Sequence, residues 1–139
     1  MDSSSYKETY RKAMITWGEE MRLKDPGYFC RLATMEADKP VWLVCDARRT
    51  TDMDYFKSHY GQCTSAVRIV ASESVRQGRG WVFTPGIDDA ESECGLDNYS
   101  CDIVITNNSN EGGDNEEVLR KQLETIVQMV KEKVQRVQK

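Results

Sequence analysis

Apolar positions along this chain follow two rhythms. Near the C-terminus, Leu119, Leu123, Ile126, Val127, Val130, Val134 and Val137 recur at three- and four-residue spacing, the period of one face of an α-helix. Core packing accounts for that stripe, and Asp114-x-x-Glu117 supplies its start signal. In the middle of the chain the stripe gives way to short continuous runs at residues 41–45, 66–71 and 102–106. Runs of about five apolar or β-branched residues bounded by polar groups predict strands buried on both faces, the habit of parallel sheets.

Helices are predicted between and before these runs. The first covers residues 6–23, opened by a capping box at Ser5-x-x-Glu8 and stopped by Asp25-Pro26-Gly27. A shorter second helix carries Tyr28, Phe29 and Leu32. A third runs from a cap at Thr51 or Asp52 through Tyr60 and ends at Gly61. The acidic stretch from Asp88 to Gly95 predicts one capped helical turn. Strands alternating with helices imply parallel crossovers, so the expected class is α/β, a doubly wound parallel sheet of three strands in one domain of 139 residues.

All three predicted strands end in polar groups: Asp46-Ala47-Arg48-Arg49, Ser72-Glu73 and Asn107-Asn108. In an open α/β sheet these ends converge on one edge, where ligands bind. Two adjacent guanidinium groups there suit a phosphorylated ligand, because each forks onto phosphate oxygens. Pairing of Asp46 and Arg49 with their neighbours is the open alternative. Residues 72–81 carry Arg76 and Arg79 with glycines at 78 and 80, and they predict a lid over the cleft. The alternative is a surface loop whose arginines meet the acidic run at 88–93. Phosphoryl transfer asks chiefly for positioning and positive charge around the moving group.

Composition narrows this picture. A net charge of −4 argues against non-specific nucleic-acid binding. The longest apolar run is far short of a membrane span. Met1 to Ser5 has neither the basic nor the apolar segment of a secretory leader, and Val137-Gln138-Lys139 is not a peroxisomal tripeptide, so the expected location is the cytosol. Five cysteines without a C-x-x-C pair, and a single His59, argue against zinc and for reduced thiols as packing residues. Between Pro40 and Val118 Lys57 is the only lysine, against arginines at 48, 49, 68, 76 and 79. That bias suits planar, bidentate recognition. No G-x-x-x-x-G-K-[ST] motif occurs, so a self-sufficient ATP site is not visible.

Several runs resemble a known family: Trp17-Gly18-Glu19-Glu20, Asp25-Pro26-Gly27-Tyr28-Phe29-Cys30-Arg31, Trp42-Leu43-Val44, Arg48-Arg49, Arg79-Gly80-Trp81-Val82-Phe83-Thr84-Pro85-Gly86, and the stretch from Asp88 to Asn98. These are similar to animal-type phosphomevalonate kinase, and the likeness weakens only in the polar loop and last helix. It implies a P-loop, nucleoside-monophosphate-kinase-like fold. It also implies transfer of the γ-phosphoryl group of Mg-ATP to 5-phosphomevalonate, giving 5-diphosphomevalonate for isoprenoid and sterol synthesis. Position by position, the resemblance gives Arg48 a catalytic role and gives Arg49, Arg22, Arg11 and Asn107 to the acceptor site, with Arg31 nearby. It gives Arg79, Arg76 and Arg68 to ATP. The resemblance implies no direct metal ligand; from its position at the strand end, rather than from the family, Asp46 is expected to orient Mg²⁺ through water.

The resemblance also divides the chain into a helical acceptor-binding region (6–36), core strands (41–71), a lid (73–84) and a last strand with its helix (102–139). Its match begins in the middle of the family's chain. It therefore implies a partial kinase domain without the first strand, the phosphate loop with its helix, and the following strand. Impaired turnover is the expectation, with apolar strand edges left unpaired at 41–45 and 66–71 and open to association. The alternative is a non-catalytic isoform that binds ligand or the intact kinase.

Overall fold

The structure, a computed structural model, describes residues 3–108 and 115–137, with the side chains of 9–11, 13–108 and 116–136. Six α-helices and two strands occur among the described residues. They are α1 (Ser3–Lys24), α2 (Tyr28–Thr34), α3 (Thr50–Tyr60), β1 (Val67–Val70), α4 (Glu73–Gly78), α5 (Glu91–Cys94), β2 (Ile103–Thr106) and α6 (Asn115–Val137). A 3-10 turn, Gly61–Cys63, follows α3. The capping box at Ser5 and Glu8, the Asp114 cap and the Val137 end of the apolar stripe fall outside the described side chains.

Helix α1 stops where Asp25 intervenes: its side chain accepts from the Gly27 amide at 3.2 Å and its carbonyl from Tyr28 N–H, turning the chain into α2. At the end of α3, Gly61 takes φ +46°, a left-handed conformation that releases the helix. Cys30 of α2 packs against Tyr55 and Phe56 of α3, with Tyr60 alongside, and this forms the helical core. Trp17 of α1 meets Tyr28 and Phe29 edge-on, with ring centroids 6.4 and 5.7 Å away.

The sheet is smaller than the sequence pattern predicts. β1 and β2 pair in parallel, Val67 with Ile103 through Val70 with Thr106, which makes a mixed α/β molecule with a two-stranded sheet. Asp102 starts the ladder by accepting from the Ala66 amide at 2.7 Å. On the β2 side, Gln122 of α6 accepts from Thr106 N–H at 3.0 Å, and Ile105 is only 1% exposed. The stripe on α6 is half-covered, with Leu123 and Val127 among the exposed residues.

The predicted strand at 41–45 does not form, so neither does the three-stranded doubly wound sheet. Residues 41–48 have no regular structure, and Val41, Trp42, Leu43 and Val44 are exposed, Leu43 to 88%. The run has strand composition, but strand structure comes from lateral pairing, and no strand among the described residues lies beside it. Trp42 instead turns onto Tyr60, with ring centroids 5.3 Å apart, and donates Nε1–H to the Lys39 carbonyl.

Candidate functional site

The charged corner that follows the 41–45 run is closely bonded. Arg48 and Arg49 lead into the N-terminus of α3, and their backbone amides both donate to Asp52 Oδ2, at 3.1 and 3.2 Å. Asp52 stands in the first turn of α3, so its carboxylate satisfies end N–H groups that lack intrahelical partners. Its other oxygen, Oδ1, accepts from Arg22 Nη1 of α1 at 2.7 Å and from the Cys30 thiol of α2 at 3.6 Å. Three helices thus meet on one carboxylate that is 4% exposed.

Burial pushes Asp52 up, but the Arg22 hydrogen bond, the two backbone amides and the Arg22 charge outweigh it and hold the carboxyl below its ordinary value. The same burial, helped by the negative charge of Asp52, pushes the Cys30 thiol up to about 11. Cys30 is therefore a neutral packing residue, not a nucleophile.

Two guanidinium groups point from this corner toward acids. Arg48 bonds Asp46 at 2.8 Å through Nε and Glu93 of α5 at 2.7 Å through Nη1. Arg49 bonds Glu19 of α1 at 2.5 Å and lies 3.5 Å from Glu91 of α5. Helix α5 can approach because Gly95 packs against the Arg48 carbonyl, where a Cβ would stand 3.1 Å from that oxygen. Arg22 also lies over the Phe29 ring, 4.9 Å from its centroid.

Arg48, Arg49 and Arg22 are thus brought together, and the open pairing of Asp46 and Arg49 with neighbours is present alongside them. Within the acidic run at 88–93, Glu93 is met by Arg48 and Glu91 by Arg49. Arg11 sits on the same face of α1 as Arg22 but three turns earlier, roughly 16 Å along the axis at about 1.5 Å per residue. Arg31 is turned to Asp25, using both carboxylate oxygens.

The predicted lid holds a short helix, α4, capped by Ser72, whose Oγ accepts from the Val75 amide. Arg76 stacks over Trp81 at 4.2 Å. Arg79 donates to the side-chain and backbone oxygens of Asn107, at 3.1 and 3.2 Å, so the end of α4 meets the end of β2. Arg68 of β1 reaches the Leu96 carbonyl and lies 3.9 Å from Asp97.

Sequence reasoning named the arginines but missed the carboxylates that seat them: Asp52 as their common partner, and Glu19, Glu91 and Glu93. A signal for Asp52 was present, since an acidic residue three positions after Arg49 is where an N-terminal turn places an acceptor. Glu19, Glu91 and Glu93 carried none, because tertiary contacts decide their neighbours.

Among the described residues no group of three His, Cys, Asp or Glu side chains could hold a metal ion. None of the described helices is long and apolar enough to cross a membrane.

A family model described as phosphomevalonate kinase matches residues 1–62, a span that contains α1, α2, the 46–49 corner and α3. The chain is also 44% identical, over 109 residues, to a phosphomevalonate kinase of Drosophila melanogaster, covering 73% of this chain and 58% of that protein. The chain therefore spans somewhat over half the length of this curated relative.

Proposed function

We propose, from the similarity to phosphomevalonate kinases, that the basic corner of this chain is the acceptor-binding and transfer half of a 5-phosphomevalonate kinase site. The observation that supports this most is the seating of Arg22, Arg48 and Arg49 around the N-terminus of α3, within the span that the family model matches. Arg49 and Arg22 hold the acceptor phosphate. Arg48 stabilises the phosphoryl group as it passes from ATP to that phosphate.

The chemistry suits these residues. Phosphoryl transfer runs through a loose transition state whose charge spreads over the equatorial oxygens, so fixed cations do most of the work and no general base is obligatory. Guanidinium groups offer two donors each in one plane, matching phosphate oxygens. In the free protein Glu19, Glu91, Glu93 and Asp46 occupy those donors. A phosphate carries more charge than one carboxylate and displaces them, and Glu91, 83% exposed and 3.5 Å from Arg49, is the loosest of these contacts.

Arg79, resting on Asn107 at the carboxyl end of β2, faces the nucleotide, with Arg76 and Arg68 in support. The nucleoside-monophosphate-kinase-like fold belongs to the same proposal. For the Mg²⁺ that accompanies ATP, Asp46 is the one contributor proposed, through water, since it is open to solvent while it holds Arg48. No step depends on that ion.

Calorimetric titration of the folded chain with 5-phosphomevalonate tests the reading. Saturable binding to one site is the expected result. A folded sample that releases no heat across millimolar ligand would overturn it.

A further inference from the structure

We infer that Asp52 is the positioning residue of this corner: one buried carboxylate sets the placement of all three arginines that meet the phosphorylated acceptor. This rests on the acceptor-site reading above and adds to it a residue that touches no substrate.

A carboxylate has about four acceptor positions, two on each oxygen. Asp52 fills them all: Oδ1 takes Arg22 Nη1 and the Cys30 thiol, and Oδ2 takes the amides of Arg48 and Arg49. A surface residue in the first helical turn would cap one or two amides and leave the rest to water. Asp52 is instead shut off from solvent and shared by three helices.

The two amides are the points from which the Arg48 and Arg49 side chains leave the backbone. Holding both on one oxygen fixes where those side chains start, while the other oxygen fixes a guanidinium directly. An error of about 1 Å in placing such groups is enough to lose roughly a hundredfold in rate. Charge supports the same role. Asp52 partners Arg22 within the fold, whereas Arg48 and Arg49 are partnered by Glu93, Glu91 and Glu19 on side chains that are 41–83% exposed. Arg48 and Arg49 thus exchange their acids for a ligand, while Arg22 keeps its Nη1 bond to Asp52 and meets the phosphate through its other N–H groups.

Asp52→Asn keeps the shape but replaces an acceptor with an N–H2 group facing donors. The wild-type chain, Asp52→Asn, Arg22→Gln and the double variant are titrated with 5-phosphomevalonate and, separately, with inorganic pyrophosphate, each sample first shown to be folded by circular dichroism. Affinity in Asp52→Asn is expected to fall about tenfold, the scale of one charge-assisted hydrogen bond. The same change in the Arg22→Gln background is expected to cost less than about half that in logarithmic terms, because the two act through one contact.

A folded Asp52→Asn variant that binds both probes as wild type does would overturn the positioning role and leave the acceptor site standing. Wild-type chain that binds neither probe would instead overturn the acceptor-site reading and take this role with it. Should Asp52→Asn fail to fold, the carboxyl ¹³C resonance of Asp52 in the wild-type chain decides. It is expected to shift as ligand saturates, and an unmoved resonance contradicts the inference.

Discussion

Helices α1, α2 and α3 close on one another, burying Cys30, Tyr55 and Phe56 and seating Asp52 beneath three arginines. Among the described residues the β1–β2 pair is covered only in part: Ile105 is buried and Gln122 of α6 bonds Thr106, while Ile69 is 65% exposed and Val104 more than half exposed. The difference lies in what each architecture needs. A helix satisfies its own backbone and asks only for one covered stripe. A parallel strand needs a neighbour at each edge and a layer on each face before its apolar residues are useful. Helices α1 to α3 find one another within about sixty residues of chain, and the acids Glu91 and Glu93 reach their corner from farther on.

The largest expected effects come from exchanging side chains between these regions. Phe56→Ala removes a buried ring from the helical core and is expected to destabilise by about 3–4 kcal/mol in urea unfolding. Ile69→Ala on the open sheet face is expected to cost under about 0.5 kcal/mol. Equal losses at the two sites would remove the contrast.

The next effect is in pH. Asp52 is held below its ordinary value in the folded chain, so its contribution is present above about pH 3.9, the unfolded value, and is lost as pH falls through the lower folded value. Cys30 titrates at about 11 when folded. Its contribution is complete below about 8.5, the unfolded value, and is lost as pH rises from there through 11. Urea midpoints measured across pH are expected to show both limbs. Asp52→Asn should flatten the acid limb and Cys30→Ala the alkaline one.

The smallest effect tests the exposed acids. Glu93→Gln frees Arg48 of one counter-charge and is expected to tighten pyrophosphate binding by a few-fold, the range of one exposed ion pair. Weaker binding would mean that Glu93 orders the corner and does not compete for it.

What the sequence shows follows the same division. Helix limits at 24 and 60 were legible because Asp25 and Gly61 act locally, and α2 was legible from Tyr28, Phe29 and Leu32. The strands at 66–71 and 102–106 were legible as composition and shortened by a residue or two at their ends. The 41–45 run shows the limit: apolar and β-forming, it still forms no strand, since pairing is not encoded in the run itself. The arginine pair and its neighbourhood could be named from one line of sequence. The carboxylates that hold it came from residues up to 45 positions away, as Glu93 does for Arg48, and no local pattern marks such a pair.

The most direct test of the acceptor-site account is calorimetry of Arg49→Ala against wild type with 5-phosphomevalonate, with unfolding midpoints recorded on the same samples. The Arg49 side chain is 18% exposed and bonds Glu19 and Glu91 rather than Asp52, so the unfolding midpoints separate any loss of stability from loss of affinity. Affinity should fall by about tenfold or more, the loss of one bidentate charge-assisted contact. Unchanged affinity in a folded Arg49→Ala variant would contradict the assignment of this corner to the acceptor.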